Sequence, residues 1–358
     1  MPGFRWRFKA LGCLVAAALL SGCSLTAPGG PGQELTPPVG TGWFGGYLDV
    51  TVLPGLRVAE APAPGASTSV LSFITSDPGR PCEPAWGGFY DLDRASDKLG
   101  LDAQVEAFRT AGNKIAVSFG GQRGTELAAA CSDPGALVRA YASVIGRYGL
   151  DTIDLDVEGP HASDHGVAER RAAAIARLQA ERTPAEPLKV WLTVPVSRKG
   201  LTSAAVVSVE TMLAAGVELS GVNIMTMNFG PLAPGSSMAE TAAGAAEATH
   251  RTLAELYGKA GKPLGEPEIW NRIGLTPMIG VNDVEGNIFT LQDAEELNRF
   301  AVERAVGRVS LWSLNRDAAC TVDGQGQAHG SLASNCSGVE QEPGMFAKVL
   351  GNSMTHHP

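Results

Sequence analysis

Residues 151–159 alternate acidic and aliphatic side chains. The aliphatic positions are Ile153, Leu155 and Val157, and the acidic positions between and after them are Asp154, Asp156 and Glu158. A period of two residues predicts a β-strand with the three carboxyls on one face and the aliphatic side chains on the other. The sequence therefore predicts a strand with an entirely acidic face.

This acidic face has consequences for protonation. Residues two apart on a strand are separated by roughly 6.6 Å, so three ionised carboxylates repel one another, and burial adds a desolvation cost. At least one carboxyl pKa is expected to rise, so that a proton is held and shared near neutral pH. Such a group can serve as a general acid.

The same stretch has two other interpretations. A half-exposed strand can carry a solvated acidic face with no chemical role, and the pattern alone leaves this alternative open. The run from Asp154 to Gly159 also resembles the start of an EF-hand calcium loop, but its twelfth position is His165 rather than Glu. Interleaved aliphatic residues do not suit an exposed loop, so calcium is set aside.

Further strand and helix patterns alternate along the chain. Strand-like patterns occur at 45–52, 69–75, 114–121, 188–195, 221–228, 273–279 and 308–314. Helical patterns occur at 136–148, 168–182, 238–256 and 291–306. Asp133 followed by Pro134 is typical of an N-cap and first helical turn. Together with the acidic strand, these patterns predict an α/β protein with a (β/α)8 TIM barrel as its single catalytic domain.

An open doubly wound sheet is the competing fold. It would need a Gly-rich turn after the first strand, whereas Gly45 and Gly46 precede the core of that strand. In a barrel, the aliphatic face of the acidic strand would pack under helices and its carboxyls would point inward. Glu158, nearest the C-terminal end of its strand, would lie at the mouth, where barrel enzymes hold their active sites.

Composition narrows the class of partner. The chain has 358 residues, 18% of them charged, and a net charge of -9. An acidic protein of this kind is a poor candidate for binding nucleic acid and suits a neutral or cationic ligand. No Cys-x-x-Cys motif or His cluster indicates a metal. We expect a monomer with no metal and no cofactor.

The N-terminal segment predicts export. Arg5, Arg7 and Lys9 precede an apolar run at 11–20 that is too short to span a bilayer well. The pattern is typical of a bacterial signal peptide, and the residues that end at Cys23 resemble a lipobox. An ordinary secretory signal is the alternative.

These features predict the following domain organisation. We expect a signal peptide at 1–22, a lipidated Cys23 that begins a flexible Pro/Gly-rich linker at 23–42, a barrel at 43–351 and a tail at 352–358. The protein would then be an exported lipoprotein, held at a membrane or cell surface through Cys23. Four cysteines lie outside the signal and allow two disulfides, with three pairings open on spacing alone: Cys82, Cys131, Cys320 and Cys336.

Four motifs occur in the order typical of one enzyme family. They are Asp151-x-x-Asp154-x-Asp156-x-Glu158, Ser118-Phe-Gly120-Gly121, Met225-Thr-Met227-Asn228 and the single residue Trp312. These motifs resemble those of glycoside hydrolase family 18, the chitinases, with Thr152 where the family usually has Gly. Segments 276–283 and 312–317 are similar to a bacterial branch of the family. The resemblance runs from about residue 43 to about residue 350.

The resemblance implies a retaining, substrate-assisted hydrolysis. Glu158 would protonate the glycosidic oxygen and later deprotonate the incoming water. The substrate's own 2-acetamido carbonyl would attack the anomeric carbon and form an oxazolinium ion. Asp156 would orient the acetamido N–H and share a proton with Asp154.

The resemblance also implies roles for other residues. Trp312 would stack beneath the sugar ring and Tyr47 would line the same subsite, although packing in the barrel core is an equal alternative for each. The motif from Ser118 to Gly121 belongs to the family's core and is not expected to touch substrate. In the implied barrel the loops that carry Cys82 and Cys131 are neighbours, whereas Cys320 and Cys336 both follow the eighth strand. We therefore expect the bridges Cys82–Cys131 and Cys320–Cys336.

One motif departs from the family. The tyrosine that hydrogen-bonds the acetamido carbonyl corresponds here to Met227, and the aspartate after it corresponds to Asn228. Phe229 replaces a second tyrosine that the bacterial branch often carries. Loss of a transition-state hydrogen bond costs about 2–4 kcal/mol, although the Asn228 amide could still bind the acetamido oxygen.

The function expected from the sequence is hydrolysis of β-1,4-N-acetylglucosamine linkages in chitin or chitooligosaccharides. Two alternatives stay open. The departure at Met227 and Asn228 keeps open a chitooligosaccharide-binding lipoprotein with little or no activity. An endo-β-N-acetylglucosaminidase acting on glycans would share the same acidic strand and mechanism.

Overall fold

Eight parallel strand positions form a ring in the computed structural model, which describes residues 42–52, 68–322, 328–329 and 335–354. The strands are β1 Trp43–Phe44, β2 Gly46–Asp49, β3 Thr68–Asp77, β4 Arg80–Trp86, β5 Tyr90–Asp91, β6 Lys114–Gly120, β7 Thr152–Asp156, β8 Lys189–Ser197, β9 Gly200–Leu201, β10 Leu219–Met225, β11 Ile273–Thr276, β12 Gly280–Val281, β13 Ile288–Phe289, β14 Arg308–Val309, β15 Thr321–Val322 and β16 Ala328–His329. The helices are α1 Leu92–Leu99, α2 Leu101–Thr110, α3 Leu127–Ala130, α4 Pro134–Arg147, α5 His165–Ala180, α6 Ser203–Ala214, α7 Met238–Lys259, α8 Glu266–Asn271, α9 Leu291–Arg304 and α10 Met345–Leu350.

The predicted signal peptide, Cys23 and the linker up to residue 41 lie outside the described residues, so lipidation and export stay predictions. None of the described helices has both the length and the apolar character that crossing a bilayer requires.

The ring closes through the first strand, which Gly45 divides into two pieces. β1 pairs with β14, and β2 pairs with β3, both in parallel. Tyr47 lies in register with Val70 of β3, and its backbone N–H donates to the Leu311 carbonyl at 3.0 Å on the opposite side. The other parallel neighbours run from β3 through β6, β7, β8, β10 and β11 to β14. The predicted TIM-barrel class is confirmed.

Two hydrophobic cores follow from the alternation along each strand. Outward-facing side chains, including those of Ile153, Leu155 and Val157, are buried in the large core between the strands and the helices. A smaller cluster fills the barrel interior: Trp43, Tyr47, Val70, Ala116 and Trp191. The acidic face of β7 therefore points into the barrel above an aromatic layer, as its period of two predicts.

The eighth strand is shorter than predicted. Its regular part ends at Val309, although Ser310 still donates to the Leu275 carbonyl and Trp312 to the Pro277 carbonyl. Pro277 has no N–H with which to continue the ladder, so the regular pairing with β11 ends there. This leaves Trp312 at the mouth, where it forms an isolated bridge with Met278.

All four predicted helices are present as α4, α5, α7 and α9, with ends that shift by a few residues. Asp133 caps α4 as expected, and its side chain accepts from the N–H of Ala136. The sequence patterns did not identify α1, α2, α3, α6, α8 or α10. The three Val residues of α6 lower its helix propensity, and its apolar residues are spread around the helix rather than confined to one face.

Both disulfides have the pairing expected from the resemblance. Cys82 on β4 is bonded to Cys131 after α3, with Cα atoms 4.7 Å apart, and Cys320 is bonded to Cys336 with Cα atoms 5.0 Å apart. The first bridge connects the β4–β5 hairpin, which follows the second barrel strand, to the segment that follows the third. It therefore anchors one wall of the barrel mouth.

Candidate active site

Glycine at the end of β6 allows the acidic strand to approach. Gly120 has a φ of +105°, and a Cβ built there would lie 2.0 Å from the backbone oxygen of Asp156. Gly121 has a φ of +88°, and its Cβ would lie 2.8 Å from the ring of Phe73. The glycine pair is required because any side chain would push apart the strands that carry Asp156 and Phe73. This agrees with the structural role expected for the motif.

Asp154 lies at the bottom of the acidic face and accepts four hydrogen bonds. Its Oδ2 accepts from the Ser118 hydroxyl at 2.7 Å and from the Tyr47 hydroxyl at 2.9 Å. Its Oδ1 accepts from the Thr193 hydroxyl at 2.6 Å and from Nη1 of Arg308 at 2.6 Å. Each of the four partners donates toward the carboxyl, so both of its oxygens are held in place by hydrogen bonds.

A second layer supports these donors. The side-chain amide of Asn223 donates to the oxygens of Tyr47 and Thr193 at 3.2 and 3.0 Å, and its carbonyl accepts from Thr276 at 2.9 Å. All of these groups are buried. The network leaves the hydroxyl protons of Tyr47 and Thr193 free to point toward Asp154, and it fixes the position of that carboxylate.

Arg308 supplies the positive charge that balances Asp154. Its guanidinium is buried and lies 4.9 Å from the ring centroid of Trp43, 5.3 Å from that of Tyr47 and 5.5 Å from that of Trp191. Aromatic faces attract a cation, and attraction is greater where water is excluded. The barrel interior thus contains a caged ion pair directly beneath the acidic face.

Asp156, one step nearer the mouth, has a different environment. Its Oδ1 is buried and has no hydrogen-bond partner among the described residues. Burial raises its pKa well above the usual value, and the charges of Glu158 and Asp154 raise it further. Asp154 accepts from four other groups and forms no hydrogen bond with Asp156 within the described part of the chain, so the sharing of a proton between them stays a prediction.

Glu158 follows β7 with extended backbone angles, φ −143° and ψ −174°. The strand direction therefore continues through it, and its side chain projects on the same side as that of Asp156. Burial raises the pKa of Glu158 to about 7. A carboxyl with this pKa is largely protonated in mildly acidic solution and can exchange a proton near neutrality.

A cavity of about 240 Å³ opens above these carboxyls at the barrel mouth. Its lining includes the six predicted site residues Asp156, Glu158, Tyr47, Met227, Asn228 and Trp312. The Trp312 and Phe73 rings stack with centroids 5.4 Å apart, and Tyr47 lies 6.1 Å from each. Met225 and Met278 add apolar surface beside Met227. Of the predicted site residues, Asp154 is the one that lies below the cavity.

Asn228 binds the neighbouring loop with part of its side chain. It adopts a φ of 53°, a conformation that Asn tolerates better than most residues. Its side-chain oxygen accepts from the backbone N–H groups of Asp283 and Val284 at 3.1 and 3.3 Å. The amide NH₂ remains as the polar group that Asn228 can offer to the cavity. Phe229 instead packs against the hydrophobic core.

Several residues of this site were not identified from the sequence. They are Arg308, Thr193, Asn223 and Phe73. A signal for Arg308 did exist, because it shares strand parity with Trp312 and is a lone cation in an otherwise uncharged predicted strand. A cation on an inward face opposite an acidic strand indicates an ion pair within the barrel.

No family model matches the chain, but individual known proteins are similar to it. A probable bifunctional chitinase/lysozyme of Escherichia coli (strain K12) is 31% identical over 281 residues, which cover 76% of this chain and 30% of that protein. Endochitinase 11 of Metarhizium anisopliae is 31% identical over 282 residues, covering 76% of this chain and 52% of that protein. The chain thus spans about a third to a half of the length of these relatives.

Solved structures extend the comparison. The catalytic domain of a hyperthermophilic chitinase from Pyrococcus furiosus superposes with a TM-score of 0.73 and 29% sequence identity, covering 89% of this chain and 96% of that one. A family GH18 chitinase from Chromobacterium violaceum superposes with a TM-score of 0.58 and 16% identity, covering 88% of this chain and 83% of that one. The second similarity concerns the fold alone.

Proposed function

We propose that the chain is a chitinase-like glycoside hydrolase that cleaves β-1,4 linkages between N-acetylglucosamine units, because it is similar in sequence to chitinases and shares the fold of a chitinase catalytic domain. One observation carries the proposal. Glu158, whose pKa is raised to about 7, and Asp156, with its unpaired buried oxygen, line one cavity beside stacked aromatic rings. An acid, an acceptor and an aromatic surface are the groups that an acetamido sugar requires.

The arrangement supports a reaction in which the substrate provides the nucleophile. Asp154 is held by four donors below the cavity, so it is badly placed to attack a sugar. Glu158 would donate its proton to the glycosidic oxygen as the bond to the anomeric carbon breaks. The 2-acetamido carbonyl oxygen of the same sugar would bond to that carbon and form an oxazolinium ion. Glu158, now ionised, would take a proton from the water that opens the ring.

The unpaired Oδ1 of Asp156 supports its role as the orienting group. An acetamido N–H that donates to this oxygen would satisfy a buried acceptor and hold the carbonyl toward the anomeric carbon. The methionines of the cavity wall offer an apolar surface for the acetamido methyl group. Trp312, stacked on Phe73, would support the apolar face of the sugar ring.

A substrate panel tests the proposal. We expect the protein to cleave N-acetylglucosamine oligomers and to leave cello-oligomers of equal length intact, because the latter have no acetamido nucleophile. The first product should be the β-anomer, as retention requires, measured by NMR within the first minutes of reaction. Cleavage of cello-oligomers, or an initial α-anomer, would exclude the substrate-assisted mechanism.

The raised pKa of Glu158 predicts the pH dependence of the reaction. The acid form is required, so kcat/KM should fall as the pH rises through about 7. A surface carboxyl of ordinary pKa would already have lost its proton near pH 4.3. Initial rates from pH 4 to 9, with the fraction of folded protein measured by circular dichroism at each pH, separate titration from unfolding. A basic limb that lies below pH 5 would contradict the assignment of Glu158 as the acid.

The lining of the cavity also supports a second candidate function, in which the protein binds its ligand and turns it over slowly. Met227 offers no hydroxyl to the acetamido carbonyl, so on this wall the Asn228 amide NH₂, a weaker donor, stands in for the missing hydroxyl. A protein that binds chitooligosaccharides with little hydrolysis is therefore the alternative. Calorimetry beside product analysis distinguishes the two, since tight binding without product over hours indicates the binding protein.

A further inference from the structure

A second groove adjoins the cavity that holds Glu158. Its volume is about 440 Å³, and it shares Phe73, Gln122, Asp283 and Trp312 with that cavity. The two spaces are therefore continuous across the Trp312 and Phe73 rings. Any polymer that places one unit over Trp312 has an open path along this groove.

Phe89 forms part of the groove wall and is unusually exposed. Its side chain is 69% exposed, whereas large apolar residues of the described chain are otherwise mostly buried. The ring lies next to Gly87, where a built Cβ would be 3.2 Å from Phe89 and 3.1 Å from Thr51. The tight turn with Gly87 and Gly88 thus places the aromatic ring beside the groove.

The hairpin that carries Phe89 is anchored on three sides. The disulfide from Cys82 joins it to the segment after α3. Arg80 forms ion pairs with Asp77 at 2.9 Å and Asp91 at 3.1 Å. Trp86 is fully buried and donates from its indole N–H to the hydroxyl of Tyr148 at 3.0 Å. An exposed aromatic ring on a fixed support loses little conformational entropy when it binds a ligand.

The polar residues of the groove suit a neutral, hydroxyl-rich ligand. Gln122 and Arg123 are exposed and make no hydrogen bond with the residues that the structure describes. Asp49, Thr51 and Asp283 contribute oxygens to the same lining. The lining thus combines a positive charge, negative charges and neutral polar groups with aromatic rings. This combination favours a sugar over an anionic or cationic polymer.

We propose that this groove binds further sugar units of the same oligosaccharide, and that Phe89 is a stacking platform that makes the protein prefer long N-acetylglucosamine chains over short ones. The inference rests on the proposed function, since it extends the site that contains Glu158. One sugar lies over Trp312, and the chain continues past Phe73 toward Phe89.

The test compares Phe89→Ala and Phe89→Trp with the matched control Ile288→Ala. Ile288 is the other exposed large apolar residue in the described part of the chain, at 45%, and it lines neither space. We expect Phe89→Ala to lower kcat/KM on the hexamer about tenfold relative to the shortest oligomer that is cleaved. Phe89→Trp should retain the preference for the hexamer, and Ile288→Ala should leave kcat/KM unchanged on both substrates.

Binding separates this inference from the proposed function. Affinity for the hexamer and for the shortest oligomer is measured by calorimetry on the Glu158→Gln protein, with and without Phe89→Ala. A loss confined to the hexamer supports the groove whether or not the wild-type protein is an efficient hydrolase. Equal losses for both lengths, or no loss for either, would overturn the proposed role of Phe89. Absence of binding to all N-acetylglucosamine oligomers would overturn the proposed function along with it.

Discussion

Replacement of Glu158 by Gln is expected to lower kcat on N-acetylglucosamine oligomers about a thousandfold and to leave their binding nearly unchanged. The amide has almost the same shape as the carboxyl but has no acidic proton for the glycosidic oxygen. The raised pKa of Glu158 follows from its burial, so the neutral amide also removes a desolvation cost, and the variant should fold at least as well as the parent.

Asp151→Asn is the matched control for this experiment. Asp151 belongs to the same motif, but it is exposed and has the opposite strand parity. Its side chain accepts a hydrogen bond from the Thr152 hydroxyl and forms a 3.7 Å ion pair with Lys114. Its replacement should change kcat less than twofold. If Glu158→Gln retained the parent rate, the proton would have to come from another group, and the proposed acid would be wrong.

Replacement of Arg308 by Met is expected to destabilise the fold by about 3–5 kcal/mol. The change removes the cation that balances Asp154 and leaves a buried carboxylate among groups that water does not reach. Such a carboxyl has a raised pKa in the folded state, so the folded protein binds more protons than the unfolded chain. The variant should therefore gain stability as the pH falls, which urea denaturation from pH 5 to 8 measures.

The double variant Arg308→Met with Asp154→Asn is the control for charge. It removes both members of the ion pair, so it should recover much of the lost stability and should not show the gain at low pH. Equal destabilisation of the single and double variants would mean that Arg308 acts through packing against Trp43 and Trp191 rather than through its charge.

The sequence predicted most of the fold because its local patterns agree with the tertiary structure. The alternation in β7 depends only on which face is buried, and both faces are buried for different reasons: Ile153 and Leu155 under helices, Asp154 and Asp156 in the barrel. The positions of Tyr47, Asn228 and Trp312 around one cavity also followed from the family resemblance.

What the sequence did not predict depends on contacts between distant strands. The hydrogen bonds to Asp154 are an example, because their donors Ser118, Thr193 and Arg308 each lie on a strand other than that of Asp154. No local sequence pattern indicates how many hydrogen-bond donors reach one carboxyl. The groove beside Phe89 is another, since its walls come from five separate loops, and the exposure of the ring is visible only once the hairpin is folded.

The closure of the ring through β1 and β14 has a consequence for biosynthesis. Trp43 and Tyr47 come from the first barrel strand, and Arg308 comes from the last. The cage around Asp154 therefore cannot assemble until nearly the whole domain has left the ribosome. Before that point Asp154 has no buried counter-charge, so burial of the acidic strand would carry an uncompensated desolvation cost. The carboxyls of β7 are therefore buried only after the final strand has been made. Folding of the barrel and completion of the site then occur together, late in synthesis.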